Sequence, residues 1–186
     1  FSLLLIEGWP AIKKLGVAIN LGRTANSESI IAAKPDVVFI ATGSIPVLPE
    51  IRGVEKENVV KAIDILLGTS QAKGSVAVIG AGIVGCETAL FLAEAGNSVV
   101  IIEVLDTPMH EMYSINRKHM EKLLYDNNVK FFINTKPLEI TDEAVLIVDS
   151  HGEKGKLPAE TVVIATGSKA NDELTKTIES QIEEIY

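Results

Sequence analysis

Along the chain, short runs of β-branched and other apolar residues alternate with stretches whose apolar positions recur at helical spacing. Seven segments read as strands from their β-branched content and bounding turn signals: Gly16–Leu21, Asp36–Thr42, Ser75–Gly80, Ser98–Glu103, Val129–Thr135, Ala144–Asp149 and Thr161–Thr166. Val37–Ala41 and Val76–Ile79 are continuously apolar, as strands of a parallel sheet buried on both faces are. Two longer stretches read as helices. Ile83–Ala95 is apolar nearly all round and is expected to be buried. Ser114–Asn127 is amphipathic, with Met120, Leu123 and Leu124 on one face and charges on the other. Alternating strand and helix define an α/β fold. Pro137–Leu157 breaks the alternation. Its short apolar pieces are separated by Thr141-Asp142-Glu143 and Ser150-His151-Gly152-Glu153, which predicts a small antiparallel meander placed as an excursion between two parallel strands.

The pattern also repeats. Asp36–Ser44 reads DVVFIATGS and Thr161–Ser168 reads TVVIATGS. Each follows an earlier apolar segment, GVAINL at 16–21 or NVKFFI at 128–133, so two related modules are expected. Chance similarity of two buried strands is the other reading of the same echo.

Only the second module carries a glycine-rich turn. Ser75 to Glu103 reads SVAVIGAGIVGCETALFLAEAGNSVVIIE. A buried strand enters Gly80-Ala81-Gly82-Ile83-Val84-Gly85, a helix leaves it, and a second strand ends in Glu103. The three glycines have separable tasks. Gly80 permits the tight turn, Gly82 lets a pyrophosphate approach the backbone, and Gly85 lets helix and strand pack closely. The free N–H groups and positive dipole at the helix start then hold phosphate. Gly96-Asn97 closes the helix. Glu103 lies 18 residues after Gly85, near the spacing of about 20 expected for the acid that accepts the adenosine ribose hydroxyls. Val104-Leu105-Asp106 offers no cation for a 2′-phosphate. The whole arrangement predicts a Rossmann-type site that prefers NADH to NADPH.

Other residues support two readings each. Glu87 is either a favourable acid near a helix N-terminus or a group near the nicotinamide. Cys86 sits in an apolar helix and reads as a small buried residue rather than a reactive thiol. Gly43 and Gly167 end parallel strands, where open α/β sheets bind ligands. They would admit a cofactor to the backbone, with Thr42 and Thr166 as hydrogen-bond donors, or they are structural turn glycines. Pro35 and Trp9 read as structural, and Pro46 and Pro49 set an extended exit from the first strand-and-turn motif.

Composition narrows the function classes. The 186 residues are 47% hydrophobic and 23% charged, with a net charge of −8 and no Lys/Arg cluster, which argues against a nucleic-acid partner. One cysteine excludes an internal disulfide, a two-cysteine redox centre and a multi-cysteine zinc site. His110, His119 and His151 lack metal-ligand spacing and read as surface residues, so no metal is expected. No apolar run reaches the roughly 18–20 residues of a membrane span. Phe1–Ile6 is short and has no basic lead-in, so it is not read as a signal peptide. No membrane partner is expected, and a cytoplasmic location is. The chain opens on Phe1 rather than Met, which suggests a piece of a longer protein.

Three stretches resemble the two-dinucleotide-domain flavoproteins of the pyridine nucleotide-disulfide reductase superfamily. They are ATGSIPVLPEIRGVEKENVV at 41–60, GAGIVGCETA at 80–89 and VVIATGSKAND at 162–172. The wording is most similar to the carboxy-terminal half of old yellow enzyme-like NADH:flavin oxidoreductases, the 2,4-dienoyl-CoA and 2-enoate reductase group. The resemblance implies that Gly80, Gly82 and Gly85 form the NAD phosphate loop and that Glu103 is its ribose acid. Glu87 then lies near nicotinamide and flavin. Thr42 and Gly43 mark the exit from an FAD domain, and Gly167 the return. Missing are the amino-terminal FAD phosphate loop, the later Gly-Asp flavin motif, the redox cysteine pair, iron–sulfur cysteines and the barrel. The expected organisation is a partial FAD-binding domain at 1–70, an NAD(H)-binding Rossmann-like domain at 71–167, and the start of the return to the FAD domain at 168–186. The implied activity is hydride transfer from NADH to FAD and on to an organic, enoate or enoyl, acceptor, with flavin and acceptor held by the missing domains. A non-enzymatic NAD(H)-binding or redox-responsive module is the alternative.

Overall fold

The computed structural model describes residues 10–182 and 184–186. The apolar opening Phe1–Ile6 and Trp9 lie outside the described residues. Two compact units are present. One comprises Phe1–Thr42 with Asn171–Tyr186, and the other Gly43–Ala170.

The larger unit is built on five parallel strands: β3 (Val59–Lys61), β4 (Ser75–Ile79), β5 (Ser98–Ile102), β6 (Lys130–Phe132) and β10 (Thr161–Ile164), in the order β3-β10-β4-β5-β6. The register aligns Val78 with Val163 on one side and Ile101 on the other. Successive side chains of β4 divide between two cores, as the period of two requires. Val76 and Val78 join Cys86, Ala89 and Leu92 of α3 (Ile83–Glu94), Ala62 and Ile65 of α2 (Ala62–Leu66), and Leu124 of α4 (Ser114–Asp126). Ala77 and Ile79 join Ile140, Val145 and Ile147 on the other face. These last residues come from an antiparallel sheet of β7 (Thr135–Ile140), β8 (Ala144–Asp149) and β9 (Lys154–Pro158), in the order β7-β8-β9. The expected α/β fold is therefore present, with helices on one face and the meander on the other. The meander stands between β6 and β10, two strands of the parallel sheet, as its composition predicts.

Several expectations are corrected. Gly16–Leu21 is not a strand, and Leu15, Val17 and Leu21 are exposed. Among the described residues of the smaller unit, the only ladder is a parallel pair between β1 (Val37–Val38) and β12 (Glu184–Ile185), and 16–21 takes no part in it. Asp36–Thr42 contributes only those two paired residues. The helix at 83–94 is not buried all round. Gly85, Cys86, Thr88, Ala89 and Leu92 face inward, while Ile83, Val84 and Phe91 are exposed. The larger unit takes in residues 43–70, where β3 is hydrogen-bonded to β10. It continues to Ala170, where β11 (Ser168–Ala170) pairs with β2 (Ser44–Pro46).

In the smaller unit, α1 (Ser27–Ala33) starts with a reciprocal cap. The Asn26 side chain accepts from the Ser29 N–H at 2.9 Å, and Ser29 Oγ accepts from the Asn26 N–H at 3.1 Å. The helix α5 (Glu173–Ile178) precedes β12, and Phe39 stacks on Tyr186 with ring centroids 5.2 Å apart. No helix among the described residues is long and apolar enough to cross a membrane.

Candidate functional site

Strand order reverses about β4. The chain passes from β4 through α3 to β5 on one side, then returns as β10 on the other. A crevice at the carboxyl ends of such strands is where open α/β sheets take ligands, and the Gly80–Gly85 loop occupies that place. Gly80 adopts φ +106°, and its N–H donates to Ile102 O at 2.9 Å, continuing the β4–β5 ladder. A Cβ on Gly80 would lie 2.4 Å from Ala165 O, and a Cβ on Gly85 would lie 2.1 Å from Gly80 O. Both glycines are therefore needed by the protein's own packing. Gly82 differs. Its φ is −67°, and a Cβ there would meet nothing within 4 Å. The space over Gly82 is open, as a cradle for a phosphate must be.

Gly82 is also the N-cap of α3, and no side chain caps that end. The first N–H groups of an α-helix have no acceptor within it. Here Gly82, Ile83 and Val84 are exposed, so this end carries the positive pole of the helix dipole toward open space. At the far end, Gly96 takes φ +89° and the Asn97 side chain donates to Leu92 O at 2.9 Å, closing the helix as expected.

Glu103 stands directly beside the loop. Its Oε2 accepts from the Ala81 N–H at 2.6 Å, and its Oε1 from the Leu105 N–H at 2.9 Å. An ionised carboxylate has about four lone-pair sites, so capacity remains for two ribose hydroxyls. Val104, Leu105 and Asp106 beyond it are exposed and bring no cation. The structure thus unites Ala81, Gly82, Ile83, Val84, Gly85 and Glu103. Gly167 belongs to the same end of the sheet, two residues past the Ala165 that packs on Gly80, with φ +97°.

The remaining candidates fare differently. Thr42 Oγ donates to Asn171 O at 2.8 Å, and Thr166 Oγ donates to Val47 O at 2.9 Å. Both hydroxyl protons expected to be available to a cofactor are held by protein carbonyls. Gly43, at φ +79°, precedes β2 and lies outside the parallel sheet. Glu87 is exposed on the α3 face that also presents Val84 and Phe91. Cys86 is buried, and its thiol is pushed up to about 12, first by burial and then by the carboxylates of Glu103, Glu121 and Glu87. The three histidines are exposed. Sequence reasoning missed Met109, whose N–H donates to Ala81 O at 2.8 Å; nothing in the loop sequence marks that contact.

Fold and loop together define a Rossmann-like nucleotide-binding α/β protein. The family model for pyridine nucleotide-disulphide oxidoreductases matches residues 12–184, and the chain belongs to that family. Members of the family use FAD and NAD(P)H. The chain is 39% identical to an NADH oxidase of Thermoanaerobacter brockii over 91% of its own length and 27% of the relative's. It is 36% identical to a bilirubin reductase of Mediterraneibacter gnavus over 86% of its length and 25% of the relative's. The solved complex of 2-naphthoyl-CoA reductase with 2-naphthoyl-CoA superposes with a TM-score of 0.86 at 32% identity, covering 94% of this chain and 27% of that one. The chain spans about a quarter of the length of these relatives. The relatives are oxidoreductases, which supports an enzyme as the parent.

Proposed function

We propose that this chain is the NADH-binding portion of a flavin-dependent oxidoreductase of the old yellow enzyme type, related to the 2,4-dienoyl-CoA and 2-enoate reductases. The observation that carries the reading is the pairing of an uncapped helix start at Gly82 with the Glu103 carboxylate, joined through Ala81. The N–H groups of the loop and of the first turn of α3 bind the pyrophosphate. Glu103 accepts from the 2′- and 3′-hydroxyls of the adenosine ribose and repels a 2′-phosphate, with Asp106 adding negative charge. Gly167 leaves the backbone open to the nicotinamide half, and Glu87 lies toward that half.

When bound, NADH supplies the hydride, and a flavin held by the parent protein carries the electrons to the acceptor. No residue of this chain is assigned to bond-making. The relatives named for reducing bilirubin and 2-naphthoyl-CoA favour a conjugated organic acceptor, of enoate or enoyl type. In this reading 71–167 supplies the NAD(H) site, its flanks belong to an FAD-binding domain, and the protein works in the cytoplasm.

Calorimetric titration of the chain with NADH and NADPH tests the site. NADH is expected to bind, and to bind more tightly than NADPH. Absence of binding at millimolar NADH, or tighter binding of NADPH, overturns the reading.

A further inference from the structure

We propose that Met109 is a positioning residue of the dinucleotide site, holding the loop between β5 and α4, and through Ala81 the Glu103 carboxylate, in register for an adenosine ribose. The inference rests on the NADH reading above and assigns a determinant of it that does not touch the nucleotide.

Ala81 is gripped from both sides of its peptide. Its N–H donates to Glu103 Oε2 at 2.6 Å, and its carbonyl accepts the Met109 N–H at 2.8 Å. The carbonyl also faces the Cys86 thiol at 3.6 Å. The loop is tied at its other end too. Leu105 donates to Glu103 Oε1 at 2.9 Å and accepts from the Asn134 N–H at 3.0 Å. Residues 103–109 are thus fastened to the phosphate loop at both ends, and Ala81 is the shared point.

Met109 is an unexpected residue for this place. It is 1% exposed and adopts φ +48°, a left-handed conformation that glycine or asparagine takes more readily. A side chain persists in such a conformation where its surroundings over-determine it. The surroundings here are the core that Met109 shares with Cys86 and Leu124, with Met112 and Met120 packed against it. A turn alone would be served by glycine. A buried thioether on a left-handed backbone instead fixes one amide in one place, and that amide points at Ala81.

Met109→Ala in the 186-residue chain is expected to weaken NADH binding at least tenfold and to shrink the NADH:NADPH affinity ratio. Met109→Leu should restore both. Leu124→Ala truncates an equally buried neighbour and should lower thermal stability while keeping the ratio. Partial unfolding reduces both affinities by the same factor, so the ratio separates positioning from stability. Hydrogen exchange of the unmutated chain gives a second test that no variant's folding can spoil: the 104–112 segment should slow at saturating NADH. If the unmutated chain binds no NADH, the underlying site assignment fails. If it binds NADH but Met109→Ala keeps the ratio, this proposal alone fails. It also fails if exchange over 104–112 is unchanged at saturation.

Discussion

Gly82→Ala separates what the protein needs from what its ligand needs. At Gly85, an added Cβ would stand 2.1 Å from Gly80 O and 3.2 Å from the Ala165 side chain. Replacing glycine by alanine in a helix gains about 1 kcal/mol of propensity, but forcing a methyl against backbone costs about 1–3 kcal/mol or more. Gly85→Ala is therefore expected to destabilise the fold by about 2 kcal/mol or more, because the backbone it meets cannot rotate away. At Gly82 the same methyl meets nothing within 4 Å, and φ −67° suits alanine. The gain from a less flexible unfolded chain, about 0.4–1 kcal/mol, roughly offsets the poorer N-cap, about 1 kcal/mol at most. The net change is expected to lie within about 1 kcal/mol of zero. For NADH the methyl occupies the approach of the pyrophosphate, and a loss of about 10- to 100-fold follows, equivalent to about 1.4–2.7 kcal/mol. Thermal melts and calorimetric titration, run on both variants, check the two halves. The reasoning is refuted if Gly82→Ala melts as early as Gly85→Ala, or if it binds NADH as tightly as the unmutated chain.

Removing the Glu103 carboxylate with Glu103→Ala takes away the acceptor for two backbone N–H groups and for the ribose; NADH affinity should fall and the preference over NADPH should narrow in a side-by-side titration. Cys86 should resist thiol reagents at pH 8 in the folded protein and react fully only in denaturant. Because its folded pKa lies above the unfolded value, its contribution to stability is complete below about pH 9 and is lost as pH rises toward about 12, which denaturant melts between pH 8 and 10 would begin to show as a decline. Thr166→Val removes the bond to Val47 O from an exposed position, so a cost of at most about 1 kcal/mol is expected, with NADH affinity within twofold of the unmutated chain. A tenfold loss of NADH affinity there would mean that the hydroxyl does serve the cofactor.

The strands that carry the site were legible because burial on both faces leaves a mark that needs no partner to be read. Val76–Ile79, Val99–Ile102 and Val162–Ile164 are apolar without interruption, and each is a strand of the parallel sheet. The meander was legible for the opposite reason, since its turn residues interrupt apolar runs too short for a crossover. The glycine loop and Glu103 were legible as well, because their spacing is set locally by one strand, one helix and the next strand. Gly16–Leu21 shows the limit. Its apolar pattern is that of a strand, yet a strand exists only where an edge accepts it, and a pattern carries no record of edges. β3 was missed for a related reason: three half-buried residues have too little pattern, and pairing with β10 makes them a strand.

By itself, then, the sequence determined the α/β class, the meander, the glycine loop and the acid 18 residues beyond it. These depend on side-chain chemistry and short-range spacing. Only the tertiary structure decided that β10 lies beside β4, which puts Ala165 against Gly80 at the carboxyl ends of both strands. It alone gave the threonine hydroxyls to Asn171 O and Val47 O, more than 100 residues away in each case, and joined Met109 to Ala81. Those outcomes rest on which backbone groups meet across the fold, and a linear pattern of residue types does not encode that meeting.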